Sequence, residues 1–353
     1  MSNKIYRIAI VGASSLVGKE LSDVLSESAL GASSFTLLDE EQMAGSVAAA
    51  GDEISFIQKI DSSSFEGKDL VFFAGDAEVA AKYWKSAVSA SASIVDLTGA
   101  LEGKPGVLVR APWTASGEER GDGAETRPTP DIATPAVVAA HPAAVMLALI
   151  ARRLGARFGV RSLVATLLLP ASEYGRAAMD ELHQQTVSLL SFQSLPREQY
   201  DQQVAFNLVR GFGEAAKLMP IEATERRIQA HYDALCGEGA AALVLQVVHA
   251  PIFHGYGGSL LVELKDAATA GEVAEAIAGK HVSVAAGGPD SPNNVDAVGQ
   301  EDLMVSVQAA GSQGEEATRF KLWVAADNLR LAAAHAVACA VELLQLRPSG
   351  EVQ

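Results

Sequence analysis

"KIYRIAIVGASSLVGKELSDVLSE", residues 4–27, decides the architecture. Its stretch from Ile5 to Val11 is short, mostly apolar and stopped by Gly12, which reads as a strand buried on both faces. Beyond a turn of small residues, Leu16, Leu21, Val24 and Leu25 fall on one side of an amphipathic helix. Strand, glycine turn and helix in this order form the opening unit of a parallel α/β sheet.

Working outward, "SFTLLDE", "DLVFFAG" and "SIVDLTG" are further strands, each ending in a turn. The N-terminal region is therefore expected to be a Rossmann-like, doubly wound parallel sheet. "TASGEERGDGAETRPTPD", Thr114 to Asp131, is charged, Gly/Pro-rich and aperiodic, and reads as a surface loop. The style then changes. "VRSLVATLLLPA", "AALVLQVVHAPIF" and "GGSLLVEL" are strand-like and interleave with the helical "GRAAMDELHQQTVSLL" and "ATERRIQAHYDAL". That pattern predicts a second α+β domain with a mixed or antiparallel sheet and helices on one face. The expected division is 1–132 plus 324–353 for the first domain and 133–323 for the second.

Composition narrows the function. The 353-residue chain exceeds one ordinary core. Its 27 Lys plus Arg against 43 Asp plus Glu leave a net charge of −16, which argues against binding nucleic acid. The longest strongly apolar run, Ala143 to Ala151, is shorter than a membrane span, so no membrane partner is expected. The first residues do not have the pattern of a signal peptide. Two cysteines, Cys236 and Cys339, build no disulfide framework and fit a reducing cytoplasm.

Two stretches can carry chemistry. "GASSLVG" sets Gly12 and Gly18 between strand and helix, where a helix start can receive a pyrophosphate. Ser15 stands where a middle glycine would allow the closest backbone approach. Asp39, ending the second strand, is spaced to bond a ribose hydroxyl. "VVAAHPAAVMLALIARRLG", Val137 to Gly155, brings Pro142 to the first turn of a buried helix. Such a turn lowers a thiol pKa or holds an anion, yet it presents Ala143 and Ala144. "QVVHAPIFHGYGGSL" adds His249, His254 and Tyr256 near a strand end. The two histidines are expected to be hydrogen-bonded residues at a domain surface. They lack a carboxylate or thiolate at ligand spacing, so no metal site is expected.

These stretches, taken in order, resemble the aspartate-semialdehyde dehydrogenase family. The resemblance runs from "VGASSLVG" through "QMAGS", "FFAGD", "IVDLTGALE", "VAFNLVRGFGE" and "VVHAPIFHGYGGSLLVEL" to "LWVAADNLRLAAAHAV". It implies a Rossmann domain to which a C-terminal helix returns, and a second domain that pairs two subunits. A dinucleotide would lie against Gly12, Ser14, Ser15, Leu16, Val17, Asp39 and Gly75, with Asn328 also in reach. Family chemistry uses a cysteine thiolate to attack an aldehyde, passes hydride to NADP and releases the acyl group to phosphate. The cysteine position is Ala144, in "HPAAVM". The substrate-gripping arginine corresponds to His249, the acid-base histidine to Tyr256, and the orienting glutamine to Leu168 or Leu169. Glu102 replaces an arginine, Leu331 replaces a lysine, and Glu40 to Gln42 replace the group that holds the 2′-phosphate of NADP.

No catalytic residue of the family reaction is thus expected at Ala144, Leu168, His249 or Tyr256. Weak NAD binding is expected, NADP is disfavoured by the acidic residues after Asp39, and the chain reads as a binding or regulatory paralogue. The alternative is an oxidoreductase of different chemistry that uses NAD with Tyr256 and His249. A homodimer is expected, with a mixed dimer alongside an active paralogue as a further reading.

Overall fold

The computed structural model describes residues 5–50, 53–115, 128–237, 241–310 and 316–346, so most of the loop expected between Thr114 and Asp131 lies outside the described residues. The chain divides into two compact units, 1–141 with 332–353, and 142–331.

In the first unit, β1 (Arg7–Val11), α1 (Leu16–Glu27) and β2 (Ser34–Asp39) follow the expected order. A hairpin, β3 (Val47–Ala50) and β4 (Glu53–Phe56), and the short β5 (Gln58–Lys59) come next. Then follow β6 (Leu70–Phe73), α2 (Ala77–Ser89), β7 (Ser93–Asp96), β8 (Leu108–Arg110) and β9 (Val137–Ala139). Seven strands form one sheet in the order β5-β2-β1-β6-β7-β9-β8, every pair parallel. Both faces are covered, as the continuous apolar strands require. Alternation along β1 sends Ile8 and Ile10 into a core with Leu21 and Leu25 of α1, and Ala9 and Val11 into the opposite core with Ala80 and Ala87 of α2. The chain leaves β1 for β2 on one side and resumes with β6 on the other, so the ligand crevice of such a sheet falls at the end of β1, at Gly12.

The second unit contains α3 (Pro142–Phe158), β10 (Val160–Leu169), α4 (Arg176–Leu190), α5 (Ile221–Cys236), β11 (Ala242–His249) and β12 (Tyr256–Ala268). After these come α6 (Ala270–Ile277), β13 (Val282–Val284), α7 (Asn294–Ala297), β14 (Leu303–Ala309) and β15 (Ala317–Ala326). Its mixed sheet runs β11-β10-β12-β15-β14-β13. Helix α3 packs on β10 and β12 and touches α5 and α6, giving the expected one-sided helical layer. Ala143 to Leu149 are buried all round, which explains why this helix carries no polar face there.

Both domain boundaries fall later than the sequence indicated. Strand β9 is hydrogen-bonded into the first sheet, so that unit runs to His141 instead of 132. Strand β15 pairs along its length with β12 and β14, so a cut at 323/324 would divide a central strand of the second sheet. The return to the first unit occurs within the last helix, α8 (Asn328–Leu346). Asp327 starts this helix by accepting the amides of Leu329 (2.9 Å) and Arg330 (3.0 Å). By length and composition α8 could cross a membrane, but Ala333, Ala336, Val337 and Ala340 lie in the core with Ile8 and Ile10. Cys339, on the same helix, is fully buried, and burial pushes its thiol pKa up.

Candidate functional site

The glycine turn of the first unit depends on backbone contact that side chains would block. Gly12 has φ +80°, and a Cβ on it would lie 2.3 Å from the Cα of Gly75; a Cβ on Gly18 would lie 2.1 Å from the Gly12 carbonyl oxygen. Ser15 fits this turn because its hydroxyl faces inward. The hydroxyl accepts the amide of Gly18 (2.8 Å) and donates to the carbonyl of Ala74 (2.7 Å), so Ser15 caps α1 and does not project at an incoming phosphate. This inward hydroxyl bears on the expectation that a serine here weakens the approach of a phosphate, since its bonds are made within the turn. Among the described residues, the amides of Leu16 and Val17, first in the helix, have no acceptor.

Asp39 is tied into the same turn. One carboxylate oxygen accepts the Ser14 amide (2.9 Å) and the other accepts the Glu40 amide (2.9 Å). The turn therefore has a fixed acceptor at the end of β2 and two open donors at the start of α1, the polarity that a ribose and a phosphate require. Glu40, Glu41 and Gln42 are exposed beside it.

In the second unit, the register brings three of the singled-out positions to adjoining strand ends. Leu168 of β10 lies opposite Gly257 of β12, His249 of β11 pairs beside Leu169, and Tyr256 opens β12. Ala143 and Ala144 are wholly buried in the first turn of α3, with Pro142 as the first helical residue. Glu102 belongs to the first unit, half-buried in the turn after β7.

His249 is not the hydrogen-bonded surface histidine that its sequence suggested. It is fully buried, and neither ring nitrogen has a hydrogen-bond partner among the described residues. Its main chain exchanges two bonds with Val209 (3.1 and 2.9 Å), and its ring sits among Tyr174, Tyr200 and Phe212 at centroid distances of 5.7, 5.1 and 5.5 Å. Burial lowers its pKa from 6.5 to about 4, so the imidazole is neutral near pH 7. Tyr256, also fully buried, donates to Glu173 at 2.6 Å; burial and the neighbouring carboxylate hold its pKa well above the usual tyrosine range.

Tyr174 comes from the turn after β10, whereas Tyr200 and Phe212 come from a strap, residues 196–213, of which the sequence reading singled out only the stretch from Val204 onward and gave it no part in the site. Glu181 accepts the amides of Gln199 (2.6 Å) and Tyr200 (3.2 Å). Gln185 donates to the carbonyls of Pro196 and Gln202 and accepts the amides of Val204 and Ala205. These two polar residues on the inward side of α4 were the available signal, since buried polar side chains need partners. Nearby, the Asn328 side-chain oxygen accepts from Ser172 (3.1 Å) and from the Gly255 amide (3.0 Å), whereas its buried amide nitrogen has no partner among the described residues. Among the described residues no group of three His, Cys, Asp or Glu side chains is arranged to hold a metal ion.

Two family models cover this chain. The semialdehyde dehydrogenase NAD-binding domain matches residues 7–145, and the semialdehyde dehydrogenase dimerisation domain matches residues 153–331. The chain belongs to the semialdehyde dehydrogenase family. It is 32% identical to a USG-1 protein homolog of Pseudomonas aeruginosa, over 93% of this chain and 94% of that one. It is 26% identical to an aspartate-semialdehyde dehydrogenase of Rickettsia bellii, over 97% and 98% of the two chains. A solved structure described as a probable aspartate-semialdehyde dehydrogenase from Pseudomonas aeruginosa superposes with a TM-score of 0.82 at 29% identity, covering 97% of this chain and 99% of that one. Within the semialdehyde dehydrogenase frame, Gly12, Asp39 and Gly75 lie in the NAD-binding domain, and Leu168, His249 and Tyr256 lie in the dimerisation domain.

Proposed function

We propose that this semialdehyde dehydrogenase homologue binds a dinucleotide without catalysing phosphorylating aldehyde oxidation. The observation that carries the proposal is the buried first turn of α3, where the methyl group of Ala144 stands at the position expected to bear the attacking thiolate. A methyl group cannot form a thiohemiacetal. In a serine protease, loss of the nucleophile alone costs about a millionfold in rate, which sets the scale for covalent catalysis. The surrounding groups support the same reading, because Leu168 is apolar, His249 is a neutral imidazole within an aromatic surround, and Tyr256 is committed to Glu173.

Those properties also weigh against a different reaction run by Tyr256 and His249. A phenol with its pKa raised is a poor acid near neutral pH, and an imidazole with pKa about 4 is a weak base.

The dinucleotide site fits its ligand better. Gly12, Gly18 and Gly75 let the turn pack tightly on itself, Ser14 to Val17 form the turn, and the Leu16 and Val17 amides suit a pyrophosphate. Asp39 suits a ribose diol, and Glu40 beside it would repel a 2′-phosphate, which favours NAD over NADP, although Glu41 is paired with Lys59 at 3.0 Å. When bound, NAD would supply hydride-transfer capacity, for which this chain offers no thiolate at the helix start. Calorimetric titration tests the assignment. NAD should give a saturable signal that Asp39→Ala weakens, with NADP binding more weakly; tighter NADP binding, or NAD binding indifferent to Asp39, would contradict it.

A further inference from the structure

The edge of the first sheet puts a cation beside the acceptor that ends β2. Strand β5 pairs parallel with β2, and the register sets Lys59 directly beside Asp39. Residues paired in this way on neighbouring strands, about 4.8 Å apart, point to the same face of a sheet, so the Lys59 side chain leaves the backbone on the Asp39 side. From there its ammonium meets Glu41, with Nζ 3.0 Å from Oε2. Glu40, between Asp39 and Glu41 in the chain, is exposed.

This ion pair is not what holds its loop. Gly45 donates its amide to the Ile57 carbonyl (2.8 Å), Ile57 to Ser46 (2.9 Å) and Ile60 to Asp39 (2.9 Å), so the backbone already stitches residues 39–46 to residues 57–60. The Met43 and Ala44 amides return to the carbonyls of Glu40 (3.0 Å) and Glu41 (3.3 Å), which folds the loop on itself. The Lys59 and Glu41 side chains are 57% and 78% exposed, a setting in which an ion pair adds little to stability. What the contact changes is charge, because Glu41 cancels the cation next to Asp39.

We infer that Glu41 sets the choice of nucleotide by holding Lys59, the cation that would otherwise take the 2′-phosphate of NADP. The inference rests on the dinucleotide reading of the glycine turn. In such a site an acidic residue at the end of the second strand bonds the ribose 2′-hydroxyl, and a cationic side chain nearby accommodates a 2′-phosphate. Lys59 has the position for that second role as the in-register neighbour of Asp39, and its flexible four-carbon stem lets the ammonium reach either anion. With Glu41 present, a phosphate must displace a carboxylate 3.0 Å from the ammonium, and the displaced carboxylate is left as unpaired negative charge beside it. Glu40 repels a phosphate whether Lys59 is held or free. The two contributions are therefore separable, because only that of Glu41 passes through Lys59.

Calorimetric titration of the full chain with NAD and with NADP at low ionic strength tests the inference, using the wild type, Glu41→Gln, Lys59→Gln and the double variant. Glu41→Gln should raise the affinity for NADP relative to NAD by about three- to fivefold, the scale of one exposed ion pair. Lys59→Gln should abolish that gain in the Glu41→Gln background and lower the ratio less in the wild type, the non-additivity that marks a shared contact. Added salt should shrink the gain. A ratio unchanged by Glu41→Gln would overturn the inference, and is the result a loop staple would give by weakening both nucleotides alike. So would an equal effect of Lys59→Gln in both backgrounds. Either result with NAD still bound would leave the dinucleotide reading standing, whereas a wild type that binds neither nucleotide would defeat that reading and this inference with it.

Discussion

Replacing His249 by Phe tests the most unusual feature of the sheet end. The imidazole has two nitrogens without partners inside a surround of three aromatic rings. A buried polar group without a hydrogen bond costs about 1 to 3 kcal/mol. Phe keeps a flat ring of similar size and removes both nitrogens, so at pH 7 the variant should be more stable by about 1 to 2 kcal/mol, after allowance for small packing strain. The difference should widen in acid. With a folded pKa of about 4 and an ordinary value of 6.5, the unfolded chain binds the proton first as pH falls. The wild type therefore loses stability between pH 6.5 and 4, by about 3 kcal/mol at the lower limit, and this contribution is absent above pH 7. The variant lacks that loss. His281, also lowered to about 4 by burial and nearby cations, contributes equally to both proteins and cancels in the difference. Urea unfolding from pH 4 to 8 can be followed through Trp323 of the second unit, with Trp84 and Trp113 replaced by Phe. Parallel profiles, or a variant less stable than the wild type at pH 7, would refute the reasoning.

Gly12→Ala should destabilise the first unit by at least about 2 kcal/mol, because its Cβ would sit 2.3 Å from the Gly75 Cα at φ +80°; calorimetry should show its melting lowered by about 4 °C or more. Gln185→Ala removes a side chain bonded at four backbone positions, and hydrogen exchange across residues 196–205 should accelerate by about tenfold or more, whereas unchanged protection would mean that the strap is held elsewhere. Ala144→Cys should not create phosphate-dependent aldehyde oxidation, because Leu168, His249 and Tyr256 remain as they are; a steady-state assay showing turnover would contradict this.

The parts of the molecule legible in the sequence are those set by local pattern. Gly12 after the apolar Arg7–Val11 strand, the spacing of Leu21 and Leu25, and Pro142 before an apolar run each determine their own neighbourhood. The misplaced second boundary arose because "FKLWVAADN" reads as a strand but not as a central strand, a property conferred by β12 and β14. His249 was misjudged for a similar reason. Its partners Tyr174, Tyr200 and Phe212 come from a turn and a strap 37 to 75 residues away, and no local pattern joins them. Glu173 is likewise 83 residues from Tyr256. Ser15 could have been assigned as a helix cap, since a serine before "LVGKEL" is the usual residue there.

The central claim is that the fold of a semialdehyde dehydrogenase persists here without its reaction. The direct measurement is nucleotide reduction by the purified chain given aspartate semialdehyde, phosphate and either NAD or NADP. The account predicts a rate no higher than that without protein. Turnover above that background, lost on Tyr256→Phe or Asp39→Ala, would contradict it.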